Sequence, residues 1–293
     1  MPAKAPLTIA ILLVSSTLVP ALMGQTFQPT SEVQKAMDPG TVVGKMKRED
    51  GTERVAGQQT WRFTKGKEYE KLPPEFQWDT PPSAINTPFP VYPYELLQTK
   101  VAGKIRAYFI IGPMGRVVKA ELDEAATPEF GLAVRAMLDS CRFNPARKKD
   151  GTPAYAYIGI EYDFEPRGRS DAPVGEQGRL ILRDLEKKPG NILSLRDLDE
   201  PLKPLAQPPP AYPLALLKTR PAGEAVVEFF VDVNGDVQLP QIKSSSAPEF
   251  GYAAVQAVAA WRFETPKKGG KVVVVRAEMP VEFEGRPVTS APK

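Results

Sequence analysis

An internal repeat constrains this chain more than any other feature. Displaced by 120 residues, the sequence superposes on itself without a gap from 79–143 onto 199–263. Asp79 meets Asp199, Tyr92-Pro93 meets Tyr212-Pro213, and Ala102-Gly103 meets Ala222-Gly223. Phe109 meets Phe229, Gly115 meets Gly235, and Arg142-Phe143 meets Arg262-Phe263. Pro128-Glu129-Phe130-Gly131 and Pro248-Glu249-Phe250-Gly251 coincide letter for letter. About one position in three is identical, so the chain carries a duplication, and the two copies can be read together.

Each copy opens with a proline-rich lead ending in Tyr-Pro, followed by a short helical turn (Tyr94–Thr99, Leu214–Thr219). In the second copy Ala225, Val227, Phe229, Val231 and Val233 then alternate with Val226, Glu228, Phe230 and Asp232. A period of two is the mark of a strand with one apolar face. Ile105, Ala107, Phe109 and Ile111 do the same in the first copy. Asn234-Gly235 predicts a tight hairpin with positive φ at both turn residues, and Gly112–Gly115 stands in its place in copy one. Returning strands pass through Val117 and Val237. Phe250, Ala254, Ala257, Val258 and Trp261 recur at helical spacing, as do Phe130, Val134, Met137, Leu138 and Cys141. Pro128 and Pro248 suit a helix start, where the missing N–H does no harm. Alternating runs over 154–164 and 273–283 close the copies, and Pro280 puts part of the second at a sheet edge or bulge. The expected unit is α+β: an antiparallel three-stranded sheet with one packed helix.

Composition narrows the chemistry. The 293 residues include no histidine and a single cysteine, Cys141. That removes the commonest general base, the His-activated nucleophiles and the Cys/His zinc sites. A pair of carboxylates, or a carboxylate-only metal site, is the remaining catalytic route, and no such pair stands out. No cofactor or metal is expected, nor an enzyme. A net charge of +3 carries no nucleic-acid footprint. Cys141 falls on the helix slot that Trp261 fills, which favours a buried structural thiol over pairing with another chain. Asp232 to Asp236 reads as a hairpin turn rather than a fragment of a calcium loop. The basic loops at Arg147–Lys149 and Lys267-Lys268 read as solvated surface. Arg142 and Arg262 suit either an internal ion pair or a partner contact.

Copy two thus reads Tyr212-Pro213, Gly223, a strand, Asn234-Gly235, Ala260-Trp261-Arg262-Phe263 and a closing strand. This set resembles the C-terminal domain of the TonB family. The resemblance covers about 79–165 and 199–284, with Cys141 and the Gly112–Gly115 turn as departures. It implies a periplasmic protein-binding domain that pairs with an extended peptide of an outer-membrane transporter by strand addition. The implied docking edges are the closing strands, with Val274, Arg276 and Glu278 in copy two and exposed Tyr155 and Tyr157 in copy one. Tyr92, Pro93, Tyr212 and Pro213 would lie near the partner. A histidine-bearing anchor helix and a long Pro-rich spacer, which energised members carry, are missing, so a complete energy transducer is not expected.

The layout that follows is an export signal over 1–24, with Lys4 before the apolar run Leu7–Val19, which is shorter than the roughly 20 residues of a spanning helix. An uncleaved inner-membrane anchor is the alternative. A segment of unknown fold (25–75), with a weak hairpin signal at Asp50-Gly51, precedes domain one (76–165). A linker (166–195) with a short helix near Arg179–Lys188, domain two (196–285) and a tail (286–293) complete the chain. Expected partners are envelope proteins, among them TonB-dependent outer-membrane receptors. A structural scaffold or a homodimer is the competing role.

Overall fold

The computed structural model describes residues 44–48, 61–65, 69–122, 127–166 and 174–286. The expected export signal, the expected hairpin at Asp50-Gly51 and the tail after 286 lie outside them. Two strands come first, β1 (Gly44–Arg48) and β2 (Trp61–Lys65). The first repeat block then runs β3 (Ser83–Asn86), α1 (Tyr94–Gln98), β4 (Gly103–Ile111), β5 (Val117–Leu122) and α2 (Pro128–Ser140). It ends with β6 (Arg142–Asn144), β7 (Ala146–Arg147), β8 (Pro153–Ala154) and β9 (Ala156–Phe164). Between the blocks lie α3 (Glu176–Lys187) and β10 (Ile192–Ser194). The second block runs β11 (Pro204–Ala206), β12 (Gly223–Val231), β13 (Val237–Ser245) and α4 (Pro248–Val258). It ends with β14 (Arg262–Phe263), β15 (Lys267–Lys268), β16 (Lys271–Val272) and β17 (Val274–Phe283). Strand starts at Gly103 and Gly223, Val117 and Val237, and helix starts at Pro128 and Pro248, keep the sequence offset.

Local chemistry explains these elements. At α2, Pro128 occupies the first turn and Thr127 Oγ1 accepts from the Phe130 N–H at 3.4 Å. The β12–β13 hairpin differs from the expected turn: Asn234 keeps negative φ, and only Gly235 is left-handed, at +83°. The Gly235 N–H donates to Asp232 C=O at 3.0 Å and the Asp232 N–H to Asp236 C=O at 3.0 Å. This is a type I turn closed by a glycine bulge, a geometry that splays less than a plain type I turn. The β4–β5 turn repeats it, with Gly115 at +69°. Glycine is required at both places for a second reason. The Gly115 and Gly235 carbonyls accept from the Phe143 and Phe263 N–H groups at 2.9 Å, so a Cβ would sit 1.8 and 2.1 Å from those residues' own oxygens.

The sheets are wider than the three strands expected. The first has the order β2-β1-β9-β4-β5 and the second β10-β17-β12-β13. The added strands come from the N-terminal segment and the linker. The segment of unknown fold is therefore partly built into the first sheet, as an antiparallel pair whose β1 runs parallel to β9 at Gly159. Each helix covers one sheet face, and Phe109, Phe130, Phe164, Phe229 and Phe250 are almost wholly buried there. At about 2–3 kcal/mol for each large apolar side chain removed from water, these rings dominate the packing.

The opposite faces are covered too, which one-sided alternation does not anticipate. Tyr108 and Phe230 lie on them and are 1% and 0% exposed. Phe230 packs into the first block's core cluster with Ile181 of α3 and Leu239, and Tyr94 of α1 packs against that cluster. The blocks also meet through α2 and α4. Their contact is reciprocal: Leu132 shares a small cleft with Ala215 and Glu249, while its counterpart Tyr252 feels the charges of Glu95 and Glu129. Burial and those carboxylates push the Tyr252 hydroxyl's pKa up. Gln256 reaches back to the first block, donating to Phe89 C=O at 3.0 Å and accepting from the Val91 N–H at 3.3 Å.

Candidate functional site

The closing strand β17 carries the second block's candidate residues. Its inner edge pairs antiparallel with β12 from Gly223↔Phe283 to Val231↔Val275. Its apolar face is Val275, Ala277, Val281 and Phe283, all buried. Val274, Arg276, Glu278, Pro280 and Glu282 take the other face by alternation. Val274 is half-buried and packs toward the first core cluster. Arg276 is exposed, with its guanidinium 5.3 Å from the Phe230 ring centroid. Glu278 is exposed and pairs with Lys243 at 3.6 Å. Lys243 also reaches the buried Glu228 at 3.5 Å, and Gln241 donates to Glu228 at 2.7 Å.

The outer edge of β17 is not bare over its first three residues. β10 runs parallel along it, with Ile192↔Val274, Leu193↔Val275 and Ser194↔Arg276 in register. No β-pairing to the outer edge is formed by Ala277–Phe283 among the described residues. Sequence reading misses β10 because a three-residue strand inside a linker has no periodicity to detect.

The loop that leads into β17 is clamped. Asp199 accepts from the Gly269 and Gly270 N–H groups at 2.8 and 3.0 Å, which holds its carboxyl below the usual range. Asp79 repeats the clamp on the Lys149 N–H at 2.8 Å. These aspartates aligned in the repeat, yet their role becomes visible only when the loops meet. Asp197 accepts from the Ser194 hydroxyl at 2.7 Å and the Ser194 N–H at 2.9 Å and pairs with Lys268 at 3.4 Å, and these bonds pull its carboxyl down to about 2.

Several expected contact residues prove structural. Tyr92 is 5% exposed; its ring meets Phe130 and Phe164 edge-on, and its hydroxyl donates to Val101 C=O at 2.7 Å. Tyr212 repeats this with Phe250, Phe283 and Pro221 C=O. Both tyrosines tie the proline lead to the sheet they precede. Pro93 and Pro213 are buried behind them. Tyr157, expected to be exposed, is 3% exposed and stacks on Tyr108. Tyr155 is half-buried against Phe76. Tyr108 of β4 and Phe76 supply that cover, so neither ring offers a free surface.

Other readings resolve in place. Arg262 pairs with Asp236 at 2.9 Å, and Arg142 donates to the Asp139 and Cys141 carbonyls, so both arginines act within the fold. Asp232 accepts from the Asn234 and Asp236 N–H groups at 2.8 and 3.1 Å, which makes it the anchor of the turn. Among the described residues no group of three or more His, Cys, Asp or Glu side chains is arranged to hold a metal. Cys141 is buried beside Met137, and burial pushes its thiol pKa far up. Trp261, in the matching slot, donates its indole N–H to Pro208 C=O at 3.1 Å.

The span from Tyr212 to Phe283, with its turn, Trp-Arg-Phe helix end and closing strand, decides the comparison. Residues 208–284 match the Gram-negative bacterial TonB protein C-terminal family. Among solved structures, the solution NMR structure of the Pseudomonas aeruginosa TonB C-terminal domain is 31% identical. It covers 29% of this chain and 87% of its own, with a TM-score of 0.26. No curated protein matches. Within the TonB-like span, Gly223 has a specific duty: a Cβ there would lie 2.1 Å from the Phe250 ring. Among the described residues no helix is long and apolar enough to cross a membrane.

Proposed function

We propose that this chain is an exported envelope protein that binds other proteins and catalyses nothing. Its two repeats, 76–165 and 196–285, are tandem TonB C-terminal-like domains. The second docks an extended segment of a partner on β17, and TonB-dependent outer-membrane transporters are the partner class. The observation that carries this reading is the family match over 208–284 together with an edge of β17 that takes a parallel strand. Backbone groups on such an edge supply affinity, and alternate side chains supply selectivity. The signal at 1–24 would deliver the chain to the periplasm. Without a long Pro-rich spacer, the role is binding rather than force transmission across the envelope.

The test is recovery from envelope extract on the tagged full chain, wild type against Val274→Pro. Loss of a TonB-dependent transporter with an unchanged far-UV spectrum and melting curve supports strand addition. Equal recovery by both forms overturns it.

A scaffold role is favoured by a separate observation, the reciprocal packing of α2 and α4 with their flanking leads. It predicts a folded, monodisperse chain that recovers no transporter in the same experiment.

A further inference from the structure

Two segments with no repeat relationship to one another lie on the closing strands. β1 runs parallel to β9 and β10 runs parallel to β17. They sit at different places: β1 at Gly159, whose counterpart in the pairing register is Glu278, and β10 at Val274–Arg276. The two closing strands each take one parallel guest, and the guests are unlike, so the preference for a parallel strand belongs to the closing strand's edge and not to the guest. Beyond β10 the rest of that edge is poorly suited to any guest. Pro280 has no N–H to give, and Glu278 and Glu282 are exposed charges, the usual means of holding strands off. The competent stretch is therefore the part that β10 covers.

We infer that β10 is an internal stand-in for the partner, and that an extended segment with two adjacent aliphatic residues docks on Val274–Arg276 by displacing it. This rests on the strand-addition reading above. β10 has the properties of a displaceable guest. It is three residues long, with Ile192 and Leu193 only half-buried and Ser194 exposed. Ile192 packs toward the core cluster that Leu182, Leu185 and Val274 also border. Neighbouring strand residues face opposite ways, so an aliphatic pair covers both sides of the edge. The loop behind β10 stays clamped when it leaves, because Asp199 holds Gly269 and Gly270 independently. Release thus exposes the edge without loosening the second block. The partner's apparent affinity is its intrinsic affinity multiplied by the fraction of time β10 leaves the edge free.

The test uses the full chain with Ser194→Cys and Arg276→Cys, a register pair at disulfide-compatible spacing. The probe is a fluorescent synthetic peptide of residues 189–196, Pro-Gly-Asn-Ile-Leu-Ser-Leu-Arg. Oxidation should weaken peptide binding at least ten-fold, and reduction should restore it. A second variant, Leu193→Pro, frees the edge and should bind the peptide at least ten-fold more tightly than wild type. Equal binding by the oxidised and reduced forms overturns the inference. If no form binds the peptide while Val274→Pro still abolishes transporter recovery, strand addition stands and the stand-in falls. If Val274→Pro is also without effect, both fall.

Discussion

The Asp139 carboxylate, at the end of α2, accepts a hydrogen bond from the Leu214 N–H at 3.1 Å, across the boundary between the blocks. Burial raises its pKa to about 7, against the smaller downward pulls of that bond and of Arg135 and Arg142. The protonated group is favoured in the folded state. Its contribution is therefore full at pH below about 4 and is lost as pH rises through about 7. Asp139→Asn keeps an oxygen for the Leu214 N–H and removes the charge. We expect it to gain roughly 1–2 kcal/mol over wild type at pH 8 and nothing at pH 4, well below the full linkage because solvent still reaches the group. Urea melts at the two pH values check this, and an equal difference at both rules it out.

Gly235→Ala tests the bulged turn. It forces a side chain to φ +83° and drives a Cβ toward the Phe263 carbonyl. The expected loss is about 2–4 kcal/mol, read from denaturant midpoints. A change under about 0.5 kcal/mol would mean that the turn relaxes at no cost.

Tyr92→Phe and Tyr212→Phe separate structure from recognition. Each removes one hydroxyl that donates to a carbonyl nine residues on. We expect a loss of about 1–2 kcal/mol in stability from leaving each carbonyl short of a donor. Partner recovery at a temperature where both variants are folded should match wild type. Reduced recovery with unchanged stability would make the tyrosines contact residues after all.

Cys141 should resist alkylation in the native state, since it is 1% exposed and burial disfavours its thiolate. Iodoacetamide at pH 8 should label it only as urea unfolds the first block, with a midpoint matching the loss of near-UV signal. Labelling in the folded protein would show that the α2–β6 corner opens on its own.

The repeat made the element order readable, because two imperfect signals at one offset reinforce each other. Phe229 and Phe109 announce the helix-covered face through period two. Phe230 and Tyr108 were harder: a strand's own pattern says which residues share a face, never what will cover it. Their cover comes from other elements, Tyr157 of β9 for Tyr108 and the cluster holding Ile181 of α3 for Phe230. Asn234 failed for a different reason. Asn-Gly favours the tight turn only when two residues connect the strands, and here the Asp232 side chain organises a longer one. Tyr155 and Tyr157 belong to an alternating run whose covering rings, Phe76 and Tyr108, no local rule could supply.

The reciprocal meeting of the two blocks has a consequence for concentration. Leu132 against Glu249, and Tyr252 against Glu129, form the kind of mutual contact by which two identical chains make a dimer. Here one polypeptide supplies both halves. Each half sees the other at an effective concentration on the order of millimolar, set by the connecting segment and not by expression level. An interface too small to hold separate molecules together then persists at any dilution. Both closing strands travel as a fixed pair even when a single molecule is present.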